Sequence, residues 1–257
     1  MTASASLGTL AGQNVLVTGG SRGIGRAIAL RLARDGPAHV MIGYCLDHDA
    51  ARQTVTDLQA LGVEASCHAA DLGKEELVEE LFDRAAERLG RLDVFVSNAA
   101  RATFRPVADL SAKAWRRTME MNAQAFLLGG QRAARLMDRG GRIVGVSSLG
   151  SQACAPGYAA LGSAKAALEA LARYMAVELA PRRINVNVVC GGLVETPSVQ
   201  AHPEYQELAA RVLERTPAGR LGRPEDLAGI VAFLCGPESD WIRGQTLIAD
   251  GGFSIAP

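Results

Sequence analysis

The sequence lacks several features that would mark a special class of protein. Its 27 basic and 27 acidic residues cancel, so the whole chain has no electrostatic signature of a nucleic-acid or membrane partner. No apolar run reaches the ~18 residues that cross a bilayer, and the N-terminus lacks the pattern of a signal peptide. The five cysteines form no CxxC pair or Cys/His cluster. This excludes a zinc site or disulfide framework and fits a reducing, cytoplasmic location.

What the chain does contain is a regular alternation of short apolar runs and helical stretches. The runs are rich in β-branched residues, which is typical of parallel strands covered on both faces. We therefore predict a single doubly wound α/β (Rossmann) domain over residues 1–257, with helices on both sides of a parallel sheet of about seven strands. The predicted strands lie at residues 14–18, 39–43, 64–69, 94–97, 142–146, 184–189 and 247–249.

Four further segments complete this prediction. Residues 1–12 are small and polar, which predicts a loose tail. Long helices are expected over residues 112–137 and 156–180. Residues 191–223 are rich in glycine, proline and polar residues and are predicted to form a substrate-binding lid, with a short helix near 204–214.

A glycine-rich loop follows the first predicted strand and opens a helix. Glycines stand at positions 19, 20, 23 and 25. In such a loop the backbone can approach a pyrophosphate, and the helix N-terminus offers it free N–H groups and partial positive charge. The position after the first strand of a long strand–helix series predicts a dinucleotide site.

The residues after the second strand are expected to read the adenosine ribose. An acidic residue there selects NAD, and a basic residue favours NADP. This chain has neither, since it reads Gly43, Tyr44, Cys45, Leu46. Arg22 in the glycine loop can reach a 2′-phosphate, so NADPH is the predicted cofactor. Asp47 and Asp49 nearby argue for NADH as the alternative.

A hydroxyl, a phenol and an ammonium group occur close together in the middle of the chain. Ser147 and Ser148 end an apolar run, and the predicted helix carries Tyr158 and Lys165 on its first turns. Seven residues are about 700° of helical rotation, so Tyr158 and Lys165 share one face. Such a set can deliver a proton to a substrate oxygen without a metal ion. The alternative is that Tyr158 is an ordinary loop tyrosine.

These residues together resemble the short-chain dehydrogenase/reductase family over nearly the whole chain. Ser148 and Lys165 match its catalytic serine and lysine at the usual separation of 17 residues, and Asn122 matches the asparagine that holds a relay water. Ala100 stands in place of a family glycine, and Gly191 in place of a family proline. The resemblance implies cofactor contacts from Gly19, Ser21, Arg22, Gly23, Ile24, Gly25, Tyr44, Asp71, Leu72, Asn98, Ala99, Lys165, Gly192, Val194 and Thr196.

One departure concerns the tyrosine. The commonest family pattern is Tyr-x-x-x-Lys, but the residue four positions before Lys165 is Leu161. Tyr158 instead gives Tyr-x6-Lys, which resembles the enoyl-acyl-carrier-protein reductases of the superfamily, in particular the form called enoyl-ACP reductase III. The resemblance implies that Tyr158 donates to the substrate oxygen and Ser148 is a second donor. Lys165 would hold the nicotinamide ribose and lower the phenol pKa.

The resulting hypothesis is an NADPH-dependent enoyl-thioester reductase of fatty-acid or polyketide biosynthesis. Its substrate would be an acyl thioester on an acyl carrier protein or CoA. A carbonyl reductase or alcohol dehydrogenase of secondary metabolism is the first alternative, and a non-catalytic dinucleotide-binding module is the second. The resemblance also implies a homotetramer or homodimer. Four arginines of the lid are expected either to meet an acidic carrier protein or pantetheine phosphate, or to be solvated: Arg211, Arg215, Arg220 and Arg223.

Overall fold

The structure is a computed structural model that describes residues 8–200 and 205–256. Seven strands form one parallel sheet in the order β3-β2-β1-β4-β5-β6-β7. This confirms the predicted doubly wound architecture, and every predicted strand is present. The strands are β1 (Asn14–Thr18), β2 (His39–Tyr44), β3 (Glu64–Ala69), β4 (Val94–Ser97), β5 (Gly141–Ser148), β6 (Ile184–Gly191) and β7 (Thr246–Ala249).

Helices cover both faces of the sheet, as the apolar character of the strands requires. One core cluster includes Ile28, Leu58 and Leu227 from three helices on one face, and the other includes Phe126 and Leu168 from the opposite face. The helices are α1 (Gly23–Ala33), α2 (His48–Ala60), α3 (Glu75–Leu89), α4 (Ala112–Met119), α5 (Ala125–Leu136), α6 (Ala159–Glu178), α7 (Pro197–Gln200), α8 (Tyr205–Arg215) and α9 (Pro224–Cys235).

Strands β5 and β6 extend further toward the site than the apolar pattern predicts. Their backbones remain paired up to Ser148 and Gly191, which are directly opposite each other. The hydrophobic pattern stops earlier because two serines end β5, but backbone pairing does not require apolar side chains. As a result, Ser148 is held on the sheet and not on a loop.

Two predicted helices differ from the structure. The helix expected over residues 112–137 is divided by a π-helical turn, Glu120–Gln124, which separates α4 from α5. The helix expected over residues 156–180 begins only at Ala159, with Tyr158 as its N-cap residue in a non-helical conformation (φ −96°, ψ 1°). Tyr158 therefore does not lie on the first helical turn.

At the N-terminus the predicted loose tail is partly wrong. Leu10 is completely buried in the core and its N–H donates to the carbonyl of Asp35. Residues 1–7 of that tail lie outside the described residues, as does residue 204 of the short helix predicted in the lid. In the part of the chain that the structure describes, no helix combines the length and apolar character needed to cross a bilayer.

Candidate active site

The glycine loop between β1 and α1 lies where the strand order reverses, between β1 and β4. Gly19 and Gly23 have left-handed backbones, with φ of +66° and +54°. A Cβ atom on Gly25 would lie 2.1 Å from the carbonyl oxygen of Gly19, so only glycine fits there. The loop and the free N–H groups at the start of α1 therefore form a tight cradle with the geometry of a pyrophosphate site.

Asn98, predicted as a cofactor contact, holds this loop from the neighbouring strand. Its side-chain amide donates to the carbonyl of Thr18 at 3.0 Å and to that of Gly19 at 3.3 Å. The backbone N–H groups of Asn98 and Ala99 donate in turn to the Thr18 hydroxyl. These bonds fix the loop against the end of β4 and give Asn98 a role in shaping the cradle.

At the end of β2 the two nearby acidic residues have local partners. Asp47 caps α2 by accepting from the N–H of Ala50 at 3.0 Å, and Asp49 forms an ion pair with Arg52. The Tyr44 hydroxyl is joined to Nδ1 of His48 at 2.8 Å. Both carboxylates thus have a structural explanation that does not involve a ribose.

Ser148 and Tyr158 are brought together by the tertiary structure. Their hydroxyl oxygens are 3.0 Å apart. The phenol ring packs closely on the loop after β5, since a Cβ on Gly150 would lie 2.3 Å from its Cε1 atom. On another side the ring of Phe104 lies 5.7 Å from it, centroid to centroid. The tyrosine is thus held in one place by packing as well as by the serine.

The expected effect of Lys165 on this phenol is not what the structure shows. Burial raises the pKa of Tyr158 above its ordinary value of 10.0, and the hydrogen bond with Ser148 opposes this rise. Lys165 is not among the groups that act on this pKa. The correction has a physical reason, because desolvation of the phenolate exceeds the stabilisation that the protein supplies.

Lys165 is buried beneath the end of β5. Its amino group donates to the carbonyl of Val146 at 2.8 Å, and the residue is only 5% exposed. Burial lowers the pKa of Lys165 from 10.5 to about 8, against the opposing charge of Glu169. The lysine therefore sits close to the boundary between its charged and neutral forms at mildly alkaline pH.

Asn122 occupies the π-helical turn between α4 and α5. Its side-chain N–H groups donate to the carbonyls of Arg101 and Thr118, both at 2.9 Å. Its buried Oδ1 atom has no protein partner among the described residues. A π-helical turn of this kind often marks a functional position, because it redirects the backbone locally.

The segment after β6 returns to the glycine loop. Gly192 is fixed by its N–H, which donates to the carbonyl of Ala249 at 3.0 Å. Val194 and Thr196 are buried, and the Thr196 side chain lies 3.4 Å from where a Cβ of Gly23 would stand. The predicted cofactor residues of the lid thus lie beside those of the glycine loop.

Two of the four lid arginines, Arg215 and Arg220, have side-chain partners within the protein. Arg220 forms a bidentate ion pair with Asp226, at 2.7 and 2.8 Å. The backbone N–H of Arg223 donates to the same carboxylate, and the guanidinium of Arg215 lies 5.0 Å from the ring centroid of Phe253. The side chains of Arg215 and Arg220 therefore have structural roles.

One buried residue of the site was not found from the sequence. Glu169, one turn after Lys165 on α6, accepts from the hydroxyls of Ser147 and Ser151, both at 2.5 Å. Its position in an apolar stretch of helix was the only signal. That signal carried no information on its partners, which lie about 20 residues earlier in the chain, at the end of β5 and just after it.

Comparison with known proteins places these features in context. A family model described as Enoyl-(Acyl carrier protein) reductase matches residues 19–254. A 1-cyclohexenylcarbonyl-CoA reductase of Streptomyces collinus is 46% identical over 242 residues, covering 93% of this chain and 86% of that protein.

Solved structures share the fold. A short-chain dehydrogenase of Burkholderia cenocepacia J2315 in complex with NADP has a TM-score of 0.90 and 37% identity, over 96% of this chain and 99% of that chain. A 7α-hydroxysteroid dehydrogenase complexed with NADH and 7-oxo glycochenodeoxycholic acid has a TM-score of 0.89 and 32% identity, over 95% and 94% of the two chains.

Proposed function

The chain belongs to the short-chain dehydrogenase/reductase family, and on that premise we propose that it reduces the C2–C3 double bond of an enoyl thioester with NADPH. Membership makes it an oxidoreductase with a nicotinamide cofactor. The observation that carries the finer proposal is the position of Tyr158. It stands at the N-cap of α6, 3.0 Å from Ser148, while buried Leu161 occupies the usual tyrosine position.

The displaced tyrosine suits the charge distribution of enoyl reduction. In a ketone, the carbon that receives hydride is bonded directly to the oxygen that receives the proton. In an enoyl thioester, hydride goes to C3 while negative charge develops on the thioester oxygen, two carbon–carbon bonds away. A donor placed further along the helix axis matches that oxygen. Leu161 then presents apolar surface instead of a second phenol.

The residues would divide the work as follows. The bound nicotinamide supplies the hydride. The Tyr158 hydroxyl donates to the enolate oxygen, and Ser148 is the second donor to the same oxygen. The saturated thioester would form when C2 takes up a proton and the thioester carbonyl re-forms. Lys165 holds the ribose and contributes positive charge in its protonated form, and Asn122 offers its unpartnered Oδ1 to a relay water. The glycine loop and α1 hold the pyrophosphate.

The experiment that tests this function is a direct comparison of substrates. Purified protein is assayed with NADPH and with NADH against crotonyl-CoA, longer and cyclic enoyl thioesters, β-ketoacyl thioesters and simple ketones. We expect the highest kcat/KM with an enoyl thioester. Reduction of ketones alone, with no enoyl substrate turned over, would show that the tyrosine position does not indicate double-bond reduction.

A carbonyl reductase is the second candidate. The hydroxysteroid dehydrogenase of similar fold was solved with an oxo compound, and the Ser148–Tyr158 pair can also protonate an alkoxide. In the assay above this candidate predicts the highest kcat/KM with a ketone.

Preference for NADPH is proposed to depend on Arg22. This exposed residue precedes α1, forms no ion pair among the described residues, and lies in the cradle. We expect Arg22→Ala to raise KM for NADPH about tenfold, the loss of one charge-assisted contact, with little effect on NADH. Steady-state kinetics with both cofactors measures this.

The matched control for that variant is Arg26→Ala. Arg26 lies one turn further along α1 and is already paired with Asp57 at 2.5 Å. Its removal should leave the ratio of the two KM values unchanged. Equal losses with NADPH and NADH in Arg22→Ala would assign the arginine to the loop and not to the 2′-phosphate.

A further inference from the structure

A cluster of basic side chains lies on the segment between β4 and α5. Residues 105–117 contain four basic residues and one acidic residue, Asp109, in a chain whose total charges are equal. The four side chains are all exposed. We call this cluster the basic rim: Arg105, Lys113, Arg116 and Arg117.

No residue of the basic rim forms an ion pair within the described ranges. This contrasts with arginines elsewhere, such as Arg31, paired with Asp35 at 2.8 Å, and Arg220, paired with Asp226 at 2.7 Å. Helix-dipole effects account in part for Arg116 and Arg117, which lie in the last turn of α4. They do not account for Arg105 or Lys113, which lie outside that turn.

One member of the basic rim, Arg105, lies beside the proposed proton donor, and α4, which carries the other three, is tied to the same segment. The N–H of Arg105 donates to the carbonyl of Gly157 at 2.9 Å, one residue before Tyr158. The Thr118 hydroxyl of α4 donates to that of Thr103 at 3.2 Å, which ties α4 to the same segment. Exposed apolar side chains, Phe104 and Val107, lie on this segment as well. Charge and apolar surface therefore occur together next to the site.

We propose that the basic rim binds the phosphate groups of a CoA thioester while its acyl end lies at Tyr158. This inference rests on the proposed function. A CoA thioester has an apolar acyl end and a polyanionic phosphate end joined by the pantetheine arm. The segment offers exposed apolar side chains for the first and basic side chains for the second. The relative from Streptomyces collinus is by name a reductase of a CoA thioester, which favours CoA over a carrier protein as the occupant.

The test compares two double variants of equal charge change. Arg116→Ala/Arg117→Ala removes half of the basic rim. Arg135→Ala/Arg139→Ala is the control. It removes two exposed arginines that precede the amino end of β5, whereas the site lies at the carboxyl end of that strand. Binding of free CoA is measured by calorimetry. KM is measured for an enoyl-CoA, for the same acyl group on an acyl carrier protein, and for the matching N-acetylcysteamine thioester, which has no phosphate.

We expect the basic-rim variant to weaken CoA binding and raise KM for the enoyl-CoA about fivefold, more at low salt than at high salt. The N-acetylcysteamine thioester and the control variant should show no change. Equal CoA binding in all three proteins would overturn the proposal even if enoyl reduction is confirmed. A loss confined to substrates on a carrier protein would also overturn it.

If the wild-type protein reduces no enoyl thioester, the proposed function fails. The calorimetric comparison still decides whether the basic rim binds CoA, because it does not require turnover.

A second, independent observation concerns Glu169. The residue is 7% exposed, and its carboxyl group accepts from Ser147 on β5 and from Ser151 and Gln152 after it, at 2.5, 2.5 and 3.5 Å. These three donors lie on either side of Ser148 in the chain. A buried carboxyl group needs such partners, and here all of them come from the segment that carries the serine.

The geometry points to Glu169 as a positioning residue for Ser148. It does not touch the site oxygens itself. By holding the residues before and after Ser148, it keeps the serine hydroxyl in reach of the Tyr158 hydroxyl, 3.0 Å away. A displacement of the serine by even 1 Å would weaken its contribution to oxygen stabilisation.

A double-mutant cycle separates this role from a merely structural one. We expect Glu169→Ala to lower kcat about tenfold in the wild-type background and to have little further effect in a Ser148→Ala background. Glu169→Gln, which keeps an acceptor oxygen, should retain most of kcat, and the Kd for NADPH should not change. An equal loss of kcat in both backgrounds would overturn the assignment.

If Glu169→Ala is too unstable to assay, Ser147→Ala/Ser151→Ala replaces it in the same cycle. This pair removes the donors and leaves the carboxyl group in place. The same non-additivity with Ser148→Ala is expected, and additivity would again overturn the assignment.

Discussion

Tyr158→Phe is expected to lower kcat for the preferred enoyl thioester by about 10²–10⁴-fold. The variant keeps the ring that packs on Gly150 and beside Phe104 but removes the hydroxyl that pairs with Ser148. KM for the cofactor should not change, because the glycine loop is untouched. Steady-state and single-turnover kinetics measure the loss.

The companion variant tests the distance argument directly. Tyr158→Phe/Leu161→Tyr returns a phenol to the usual family position, four residues before Lys165. We expect no recovery of enoyl reduction, since that phenol would stand nearly one helical turn, about 4.5 Å, from the proposed position. Tyr158→Phe/Leu161→Phe is the control for size, because Leu161 is only 7% exposed. Recovery by the tyrosine but not the phenylalanine would refute the argument.

Lys165→Met is expected to change activity and stability in opposite directions. Loss of the ammonium group should lower kcat by at least 10²-fold if Lys165 holds the ribose. The same variant should raise the free energy of unfolding at pH 7 by about 2 kcal/mol. The lowered pKa means that burying the charge destabilises the folded wild-type protein by roughly 3 kcal/mol, and the substitution removes this penalty. The substitution also removes the hydrogen bond to Val146, which stabilises the wild-type protein by about 1 kcal/mol.

The stability difference should depend on pH in a defined direction. The pKa of Lys165 is about 8 in the folded protein and 10.5 in the unfolded chain. Between these values the unfolded chain keeps a proton that the folded protein releases, so wild-type stability rises with pH. The penalty is therefore fully present below pH 8 and is lost as pH approaches 10.5.

Urea unfolding of both proteins from pH 7 to pH 10.5, at one protein concentration, measures this difference. The advantage of Lys165→Met should shrink over that range and reverse sign at its upper end, where only the lost hydrogen bond remains. A difference that does not vary with pH would show that Lys165 is not buried in its charged form. Wild-type kcat should also fall above pH 8, as the ammonium loses its proton.

The prediction from sequence was most accurate where one local pattern decided the outcome. The bounds of β1, β3 and β4 were predicted without error because each is a short run that ends at a distinct residue type. The ends of β5 and β6 were missed, since pairing between Ser148 and Gly191 depends on backbone partners and not on side-chain character. The π-helical turn at Asn122 was missed for a similar reason, because its sequence is compatible with an uninterrupted helix.

Electrostatic properties of the site could not be read from residue types. The sequence suggested that Lys165 lowers the pKa of Tyr158, but the sign depends on how deeply each group is buried. The lid arginines gave a similar result. From the sequence they could be solvated or could form a docking surface, whereas in the folded protein the guanidinium groups of Arg220 and Arg215 contact Asp226 and Phe253.

The sequence by itself determined the succession of strands and helices along the chain, the position of the glycine loop, and the seven-residue separation of Tyr158 and Lys165. These are local patterns or simple spacings. Only the tertiary structure decided that Tyr158 caps α6 beside Ser148, that Lys165 is buried under Val146, and that Glu169 holds the segment around the serine. These contacts join distant parts of the chain, and their energies depend on burial that no local pattern specifies.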